Sequence, residues 1–333
     1  MDKGEATKQA RNIVLVGRAG NGKSATGNSL IGQKVFESEA HEKCQAHGAV
    51  MGDNLTINVI NTPDLSDMGL PAEFINREIV RFLTLAEGGI HAVVWVLSAR
   101  STQITVEDLS TLGILHALFG SEIAAYVTIV FTGGDMLEEE GVTLDEFLGR
   151  EDCPPFVKEV LKMSGNRMVL FDNKTHDEGK KAEQVNKLLS LVDEIKRNNH
   201  GQSYTDGMYN EIKEHSDKLS KELEELEAKN HPADLESELK DQLHASFEES
   251  MTLMSNEVEK KLKAAEEELK AAVHAQEQEK DSMGTCDGWY EAKKFFATWS
   301  WDLAMYLAQN PPGRWGSGGG SYRPSPRQFN MRL

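Results

Sequence analysis

Cysteine is scarce in this chain, and its three cysteines lie far apart. Cys44, Cys153 and Cys286 are odd in number and form no C-x-x-C pair. Neither a disulfide framework nor a thiolate zinc site is supported, which favours a reducing compartment. The N-terminal sequence MDKGEATKQARN has no apolar core, so a secretory signal is not expected. These features predict a cytoplasmic protein.

Basic residues and long hydrophobic runs are also in short supply. The chain has 36 Lys and Arg against 54 Asp and Glu, a net charge of −18, which argues against a general nucleic-acid binder. The aromatic segment Phe295–Ala308 contains Asp302 and is too short to span a bilayer. This segment could lie at a membrane interface, giving peripheral contact with an internal membrane, or it could dock on the acidic helices.

Residues 11–200 alternate short apolar runs with segments of helical period, a pattern typical of an α/β fold. We expect a mostly parallel sheet with helices on both faces. Gly52–Asn54 favours a hairpin that adds one antiparallel edge strand. The predicted strands are Ile13–Val16, Ala46–Met51, Leu55–Ile60, His91–Leu97, Tyr126–Phe131 and Met168–Phe171. The predicted helices are Ser24–Ile31, Ala72–Leu85, Val106–Phe119 and Glu183–Lys196.

Residues 205–283 form a charged extension that is predicted to be helical, with Pro232 separating two helices. From Met251 onward the apolar residues follow an eleven-residue repeat, which favours a straight or slightly right-handed seam. Two interpretations stay open: a helix packed on its own domain, or an arm for self-association such as a coiled coil. Residues 1–10 and the end of the aromatic, basic segment 284–333 are expected to be disordered.

The sequence GRAGNGKS at residues 17–24 matches G-x-x-x-x-G-K-[ST] in full, between an apolar strand and a helix-like segment. In such a loop, backbone N–H groups and the helix N-terminus converge on phosphates. Lys23 would reach the β- and γ-phosphates, and the Ser24 hydroxyl would bind Mg²⁺. The candidate phosphate-binding residues are Gly17, Arg18, Ala19, Gly20, Asn21, Gly22, Lys23 and Ser24.

The sequence YVTIVFTGGD ends a buried strand in Thr132 and Asp135. An aspartate after such a strand can accept hydrogen bonds from the N1–H and 2-amino groups of guanine, a donor pair that adenine lacks. The motif LFDNKT follows one strand later. This spacing predicts a guanine nucleotide, GTP or GDP, as the ligand.

The motifs GRAGNGKSATGNSLIG, PAEFINREIVRFLTLAEGGIHAVVWVLSAR, VFTGGDMLEEEG and RMVLFDNKT resemble the plant immunity-associated nucleotide-binding proteins, a septin-related family. The resemblance covers about residues 11–200 and implies a Ras-like G domain, nucleotide-controlled dimers, slow hydrolysis and frequent membrane association. It implies phosphate contacts from Ala25, a position near the nucleotide for Ser38, guanine contacts from Thr132 and Asp135, and closure over the base by Asn173. Gly133–Gly134 replace the usual lysine of the guanine motif, as in the plant pattern.

Two departures from the family pattern lie on the phosphate side. The family has D-T-P-G where this chain has N-T-P-D at residues 61–64, and His41 falls where the family has a threonine. Asn61 keeps an acceptor oxygen but loses a charge at the Mg²⁺ site, and Asp64 should disfavour GTP relative to GDP. Leu65 stands where other GTPases have the glutamine that orients water. Alternatively, Asp64 replaces the lost metal aspartate, or both residues are tolerated turn residues.

The sequence therefore supports two function classes. The first is a guanine-nucleotide-binding switch with slow or impaired GTP hydrolysis, which couples nucleotide state to self-association in stress or immune responses as the resemblance implies. The second is a pseudo-GTPase scaffold that acts through its helical arm or by membrane docking. A P-loop ATPase or small-molecule kinase is disfavoured, since no extra acid–base pair or lid sequence stands out.

Overall fold

Six strands form one sheet in the order β2-β3-β1-β4-β5-β6. The computed structural model describes residues 10–37, 43–51, 55–67, 69–100, 106–150, 153, 155–228 and 233–282. The strands are β1 (Arg11–Val16), β2 (Gln45–Met51), β3 (Leu55–Asn61), β4 (Ala92–Ser98), β5 (Val127–Thr132) and β6 (Met168–Phe171). Every neighbouring pair is parallel except β2 and β3. The predicted mostly parallel sheet and its antiparallel edge strand are confirmed.

The helices of the described ranges include all four that were predicted, together with three short ones that were not. The helices are α1 (Lys23–Ile31), α2 (Ala72–Leu85), α3 (Val106–Phe119), α4 (Gly134–Glu140), α5 (Leu144–Gly149), α6 (Pro155–Met163), α7 (Glu178–Asn198), α8 (Gly207–Ala228) and α9 (Ala233–Ser282). A 3-10 helix covers Ser121–Tyr126. The helix α7 starts earlier than expected because the Asp177 side chain caps its first turn.

The sheet is covered on both sides, as the α/β prediction requires. Helices α1 and α7 contact each other, while α2 and α3 belong to a second group that includes α9. The chain moves across the sheet in one direction from β1 to β3, and in the opposite direction from β3 to β4. Since both connections are right-handed, α1 and α2 lie on opposite faces of the sheet. The central strands β1, β4 and β5 are buried almost throughout, which explains their continuous apolar sequences.

The charged extension packs on the domain that precedes it. Helix α9 contacts α2, α3 and α8, and its Met254 and Val258 side chains are buried in the core. Leu253, on another side of the same helix, is 56% exposed. In this part of α9 the apolar seam therefore covers its own domain, as one of the two interpretations predicted. A coiled coil is not confirmed.

Two tyrosines join the extension to the base of the sheet. The Tyr209 hydroxyl donates to Ala86 O and accepts from Gly89 N, and the Tyr204 hydroxyl donates to Phe119 O. The backbone of Tyr204 forms a bridge with Ile90. The Tyr204 hydroxyl thus satisfies the Phe119 carbonyl at the end of α3. The Tyr209 hydroxyl adds to the turn after α2, where Gly89 N also donates to Ala86 O.

Several predicted features lie outside the described residues. They are Ser38, His41, the turn Gly52–Asn54, Pro232, the N-terminal residues 1–9, and the segment 283–333 with Cys286 and Phe295–Ala308. Their roles stay predictions. Of the two remaining cysteines, Cys44 is buried and Cys153 is half-buried, and neither forms a disulfide within the described part of the chain. Among the helices of the described ranges, none is long and apolar enough to cross a bilayer.

Candidate nucleotide-binding site

Four loops meet where the parallel strands end. The glycine-rich loop follows β1, Arg100 follows β4, the Thr132–Asp135 loop follows β5, and Asp172–Thr175 follows β6. In open α/β sheets this carboxyl edge is where ligands bind, because neighbouring loops diverge there and leave a crevice.

Glycine conformations shape the loop after β1. Gly17 has a φ of 136°, and a Cβ on it would lie 2.5 Å from Val96 O, so only glycine fits against β4. Gly22 has a φ of 93° and forms the N-cap of α1. This backbone leads the chain tightly from β1 into the helix, with the amide groups at the start of α1 available to an anion.

Lys23 is buried within the glycine-rich loop. Its Nζ donates to Gly17 O at 2.6 Å and to Arg18 O at 2.9 Å. Burial lowers the pKa of Lys23 to about 8, and the negative charge of Asp64 opposes this shift. The ammonium group therefore lacks a full counter-charge, which makes the site attractive to a phosphate.

Asn21 and Arg18 fix the outer part of the loop. The Asn21 amide donates to Val96 O and to Asp108 Oδ1, both at 3.0 Å. The guanidinium of Arg18 lies 3.8 Å from Asp108 Oδ2. Asp108 was missed by the sequence analysis because nothing in its local pattern distinguishes it from an exposed residue of α3.

Asn61, which replaces the expected metal-side aspartate, lies beside the proposed metal ligand. Its Nδ2 donates to Ser24 Oγ at 3.1 Å. Its Oδ1 is buried and has no hydrogen-bond partner among the described residues. A buried acceptor without a donor is costly, and an Mg²⁺-bound water would supply that donor. The pair fits a hydrated Mg²⁺ held chiefly through nucleotide phosphates, since both protein oxygens are neutral.

Asp64 turns toward the glycine-rich loop rather than toward Ser24. Its Oδ2 accepts from the backbone N–H of Ala19 at 2.9 Å, and its Oδ1 accepts from the backbone and hydroxyl of Ser66. These contacts do not support the alternative in which Asp64 replaces the lost metal aspartate. Leu65 is 2% exposed and belongs to the core, so its side chain cannot orient a water molecule.

Thr132 connects its loop to the glycine-rich loop, and Asn173 connects the loop after β6 to helix α1. The Thr132 hydroxyl donates to Asn21 O at 2.7 Å. The Asn173 amide donates to Thr26 in α1 and accepts from Ser29. Residues that are more than 100 positions apart in the sequence are thus brought together as the motif order predicted.

Asp135 lies in the first turn of α4, and its carboxylate pairs with two basic side chains. Arg100 donates a hydrogen bond to Oδ1, and Lys174 Nζ lies 3.3 Å from Oδ2. Burial alone would raise the pKa of Asp135, but the hydrogen bonds from Arg100 and Lys174 hold it below its usual value. The carboxylate is therefore charged near neutral pH and able to accept two hydrogen bonds.

Of the predicted site residues that the structure describes, all lie on these loops or in the first turn of α1, which includes the half-buried Ala25. Their role in binding stays a prediction. Beneath Asn173, the buried Asp172 pairs with Lys180 at 2.9 Å, and Gln184 bonds its backbone. The sequence did not predict these contacts of Asp172, although the apolar period of α7 places Gln184 on the buried face of the helix.

Comparisons with known proteins agree with these motifs. A family model described as the AIG1 family matches residues 11–223. Immune-associated nucleotide-binding protein 7 of Arabidopsis thaliana is 58% identical over 286 residues, which cover 84% of this chain and 91% of the relative. Immune-associated nucleotide-binding protein 8 of the same plant is 48% identical over 249 residues, covering 73% of this chain and 70% of the relative.

A crystal structure of Toc33 from Arabidopsis thaliana in complex with GDP and Mg²⁺ resembles this chain with a TM-score of 0.44 and 20% identity, covering 55% of this chain and 84% of that one. The resemblance noted from the motifs is confirmed by the family model and the relatives. The chain is a member of the AIG1 family.

Proposed function

We propose that this protein is a guanine-nucleotide-binding switch with slow or impaired GTP hydrolysis. The observation that carries the proposal is that Thr132 and Asn173 are hydrogen-bonded to the glycine-rich loop and α1 at one edge of the sheet. Asp135 lies in the same loop as Thr132. The names of its relatives, which describe immune-associated nucleotide-binding proteins, support both a nucleotide ligand and a role in immune or stress responses.

On the phosphate side, the buried Lys23 would exchange its two carbonyl partners for phosphate oxygens. Gly17 O and Arg18 O hold the ammonium group within the loop, so little reorganisation is needed. Charge-assisted hydrogen bonds to phosphate are about twice as strong as neutral ones. The amides at the start of α1 would add a second, dipolar contribution.

On the base side, the Asp135 carboxylate would accept the N1–H and 2-amino groups of guanine. Adenine offers no such donor pair and would leave the carboxylate unpaired, which a site of this kind rejects strongly. Guanine must displace Arg100 and Lys174 from the carboxylate, and both are at least partly exposed. Exposed ion pairs of this type cost little to break, about 0–1 kcal/mol each.

Hydrolysis is expected to be slow. Among the described residues, a metal ion would find the neutral oxygens Ser24 Oγ and Asn61 Oδ1, with no carboxylate bonded to either of them. The Leu65 side chain faces the core. When bound, Mg²⁺ would neutralise phosphate charge, while the chain itself contributes Lys23 and backbone amides.

The bound state would be transmitted through α2. This helix begins eight residues after Asp64 and packs on both α8 and α9. A shift of the Asp64 loop would therefore reach the helical extension. We also propose that the protein self-associates and that it is cytoplasmic. The segment 284–333 would contact an internal membrane.

Titration with GDP, GTP and ADP tests the proposal, with turnover of GTP measured in the presence and absence of Mg²⁺. We expect GDP to bind, GTP to bind more weakly, ADP to show no detectable binding, and Lys23→Ala to lose guanine nucleotide. Equal affinity for ADP and GDP would contradict the guanine assignment.

The second candidate, a pseudo-GTPase scaffold, draws support from the Asn61 and Asp64 substitutions. It predicts that GTP is never turned over and that the helices act regardless of nucleotide. Turnover that depends on Mg²⁺ and disappears in Lys23→Ala would eliminate this candidate.

A further inference from the structure

Arg100 lies across Gly133, at the position from which the guanine motif's usual lysine is missing. A Cβ built on Gly133 would lie 2.7 Å from Arg100 Cγ and 3.2 Å from Arg100 N. Gly133 also has a φ of 89°, in the region that favours glycine. The glycine therefore leaves the space that the arginine stem fills, so the two residues are matched to each other.

Arg100 is held in this place from two sides. Its backbone N–H donates to Ser98 Oγ at 3.2 Å, and its guanidinium pairs with Asp135. Its side chain is still 39% exposed, compared with 19% for Asp135. The head group is thus anchored through one carboxylate at the rim of the site and has room to move.

The chemistry of the pair resembles that of a guanine edge. A guanidinium presents parallel N–H donors to a carboxylate, as do the N1–H and 2-amino groups of guanine. In this structure Arg100 and Lys174 occupy the two Asp135 oxygens that a guanine would need. Binding of the base must release Arg100, and a planar delocalised cation next to a purine finds its best new partner in the ring face.

We propose that Arg100 is a nucleobase-binding residue, which leaves Asp135 when guanine binds and packs its guanidinium on the base. The inference rests on the proposed guanine site and names a contact within it. Arg100 thereby supplies from the end of β4 the cation that Gly133 cannot supply from the end of β5. The bound base is then held by Asp135 at its edge and by Arg100 on its face.

The opposite interpretation makes a contrary prediction. If Arg100 only blocks Asp135, its removal frees the carboxylate and tightens nucleotide binding. If Arg100 holds the base, its removal weakens binding of GDP and GTP by the same factor, since the contact does not involve phosphate. Cation–aromatic contacts of this kind correspond to a loss of about tenfold in affinity.

The experiment measures GDP, GTP and IDP affinities by calorimetry for the full chain, Arg100→Ala and Arg100→Lys. Arg150→Ala is the matched control, since Arg150 is 37% exposed and pairs with Glu140 at 3.3 Å outside the site. We expect about a tenfold loss for all three nucleotides in R100A, a smaller loss in R100K, and no change in R150A. Inosine lacks the 2-amino group, so equal losses for IDP and GDP place the contact on the ring rather than on that edge.

A double-mutant cycle with Asp135→Ala separates direct contact from an effect through Asp135. The loss caused by R100A should persist in the D135A background. Affinity in R100A equal to or tighter than that of the full chain overturns the inference, and so does a loss that vanishes in D135A. Absence of guanine-nucleotide binding in the unmodified chain would instead overturn the proposed function. Ligand-free melting temperatures of the variants check folding, and R100K keeps the test open if R100A does not fold.

Discussion

Replacing Asp64 with asparagine removes one negative charge from beside the glycine-rich loop and leaves the shape of the side chain almost unchanged. The carboxylate accepts from Ala19 N at 2.9 Å and from Ser66 N at 3.0 Å, and an asparagine oxygen can keep one of these bonds. Asp64 thus places an anion on a backbone amide of the loop that would receive phosphates. GTP brings one more phosphate group than GDP into this region, so the variant should favour GTP.

The magnitude follows from Coulomb repulsion. Two unit charges about 4 Å apart repel by about 4 kcal/mol at an effective dielectric constant of about 20. Because Asp64 is half-buried, water and salt reduce this to about 1–2 kcal/mol. The ratio of GTP affinity to GDP affinity should therefore rise by about 5–30-fold in Asp64→Asn. Asp64→Gly should give at least the same rise, because it also frees the Ala19 amide.

Calorimetry with GDP and a non-hydrolysable GTP analogue measures the ratio directly, at low and at high salt. Asp67→Asn is the matched control, because Asp67 is an exposed carboxylate in the same loop that bonds only Gly69 in the described structure. The rise should shrink as salt increases. An unchanged ratio in Asp64→Asn, or an equal change in Asp67→Asn, would refute the reasoning.

Three further predictions concern charge, metal and packing. Burial lowers the pKa of Lys23 to about 8 from 10.5, so GDP affinity should fall above pH 8 with uptake of a proton, which calorimetry in buffers of different ionisation enthalpy detects. Between these two pKa values the unfolded chain binds more protons, so the unfolding free energy of the ligand-free protein should rise with pH in this window. Asn61→Asp should tighten Mg²⁺ binding in the GDP complex about tenfold or more, because it restores a carboxylate beside Ser24. The assay is the Mg²⁺ dependence of GDP release, and an unchanged release rate would contradict this prediction. Val258→Ala should lower the unfolding free energy by about 1–3 kcal/mol in denaturant melts, whereas replacing the exposed Leu253 with alanine should change it little. If Val258→Ala instead loses a dimer without losing stability, the result would support α9 as a self-association arm.

The sequence predicted the sheet and the phosphate loop because their signals are local. Buried parallel strands such as β4 and β5 read as continuous apolar runs, and the spacing of Gly17, Gly22 and Lys23 specifies a loop between a strand and a helix. The antiparallel pairing of β2 with β3 was equally expected from the turn residues Gly52–Asn54, although these three residues themselves lie outside the described ranges. In each case the residues that determine the structure are neighbours in the chain.

The features that were missed depend on distant contacts or on short elements. The helix α5 has a local signal, the capping box of Thr143 and Glu146, but its six residues carry little apolar period. Neither the pairing of Arg100 with Asp135 nor the bond from Ala19 to Asp64 has a sequence signature, since each joins loops from different strands. The repeat in α9 showed where an apolar seam lies but not which surface it covers.

The tyrosine contacts at the base of the sheet have a consequence for where this protein can be cut. Tyr204 stacks edge-on against Phe119 and Tyr126, and Tyr209 bridges the chain between Ala86 and Gly89. A fragment that stops at residue 200 would lack Tyr204 and Tyr209. It would uncover the Phe119 and Tyr126 rings and remove the hydroxyl that donates to Phe119 O. The candidate nucleotide-binding residues all precede residue 174, whereas these ring contacts come from residues 204 and 209. We therefore expect a minimal folded fragment to need α8 along with the G domain.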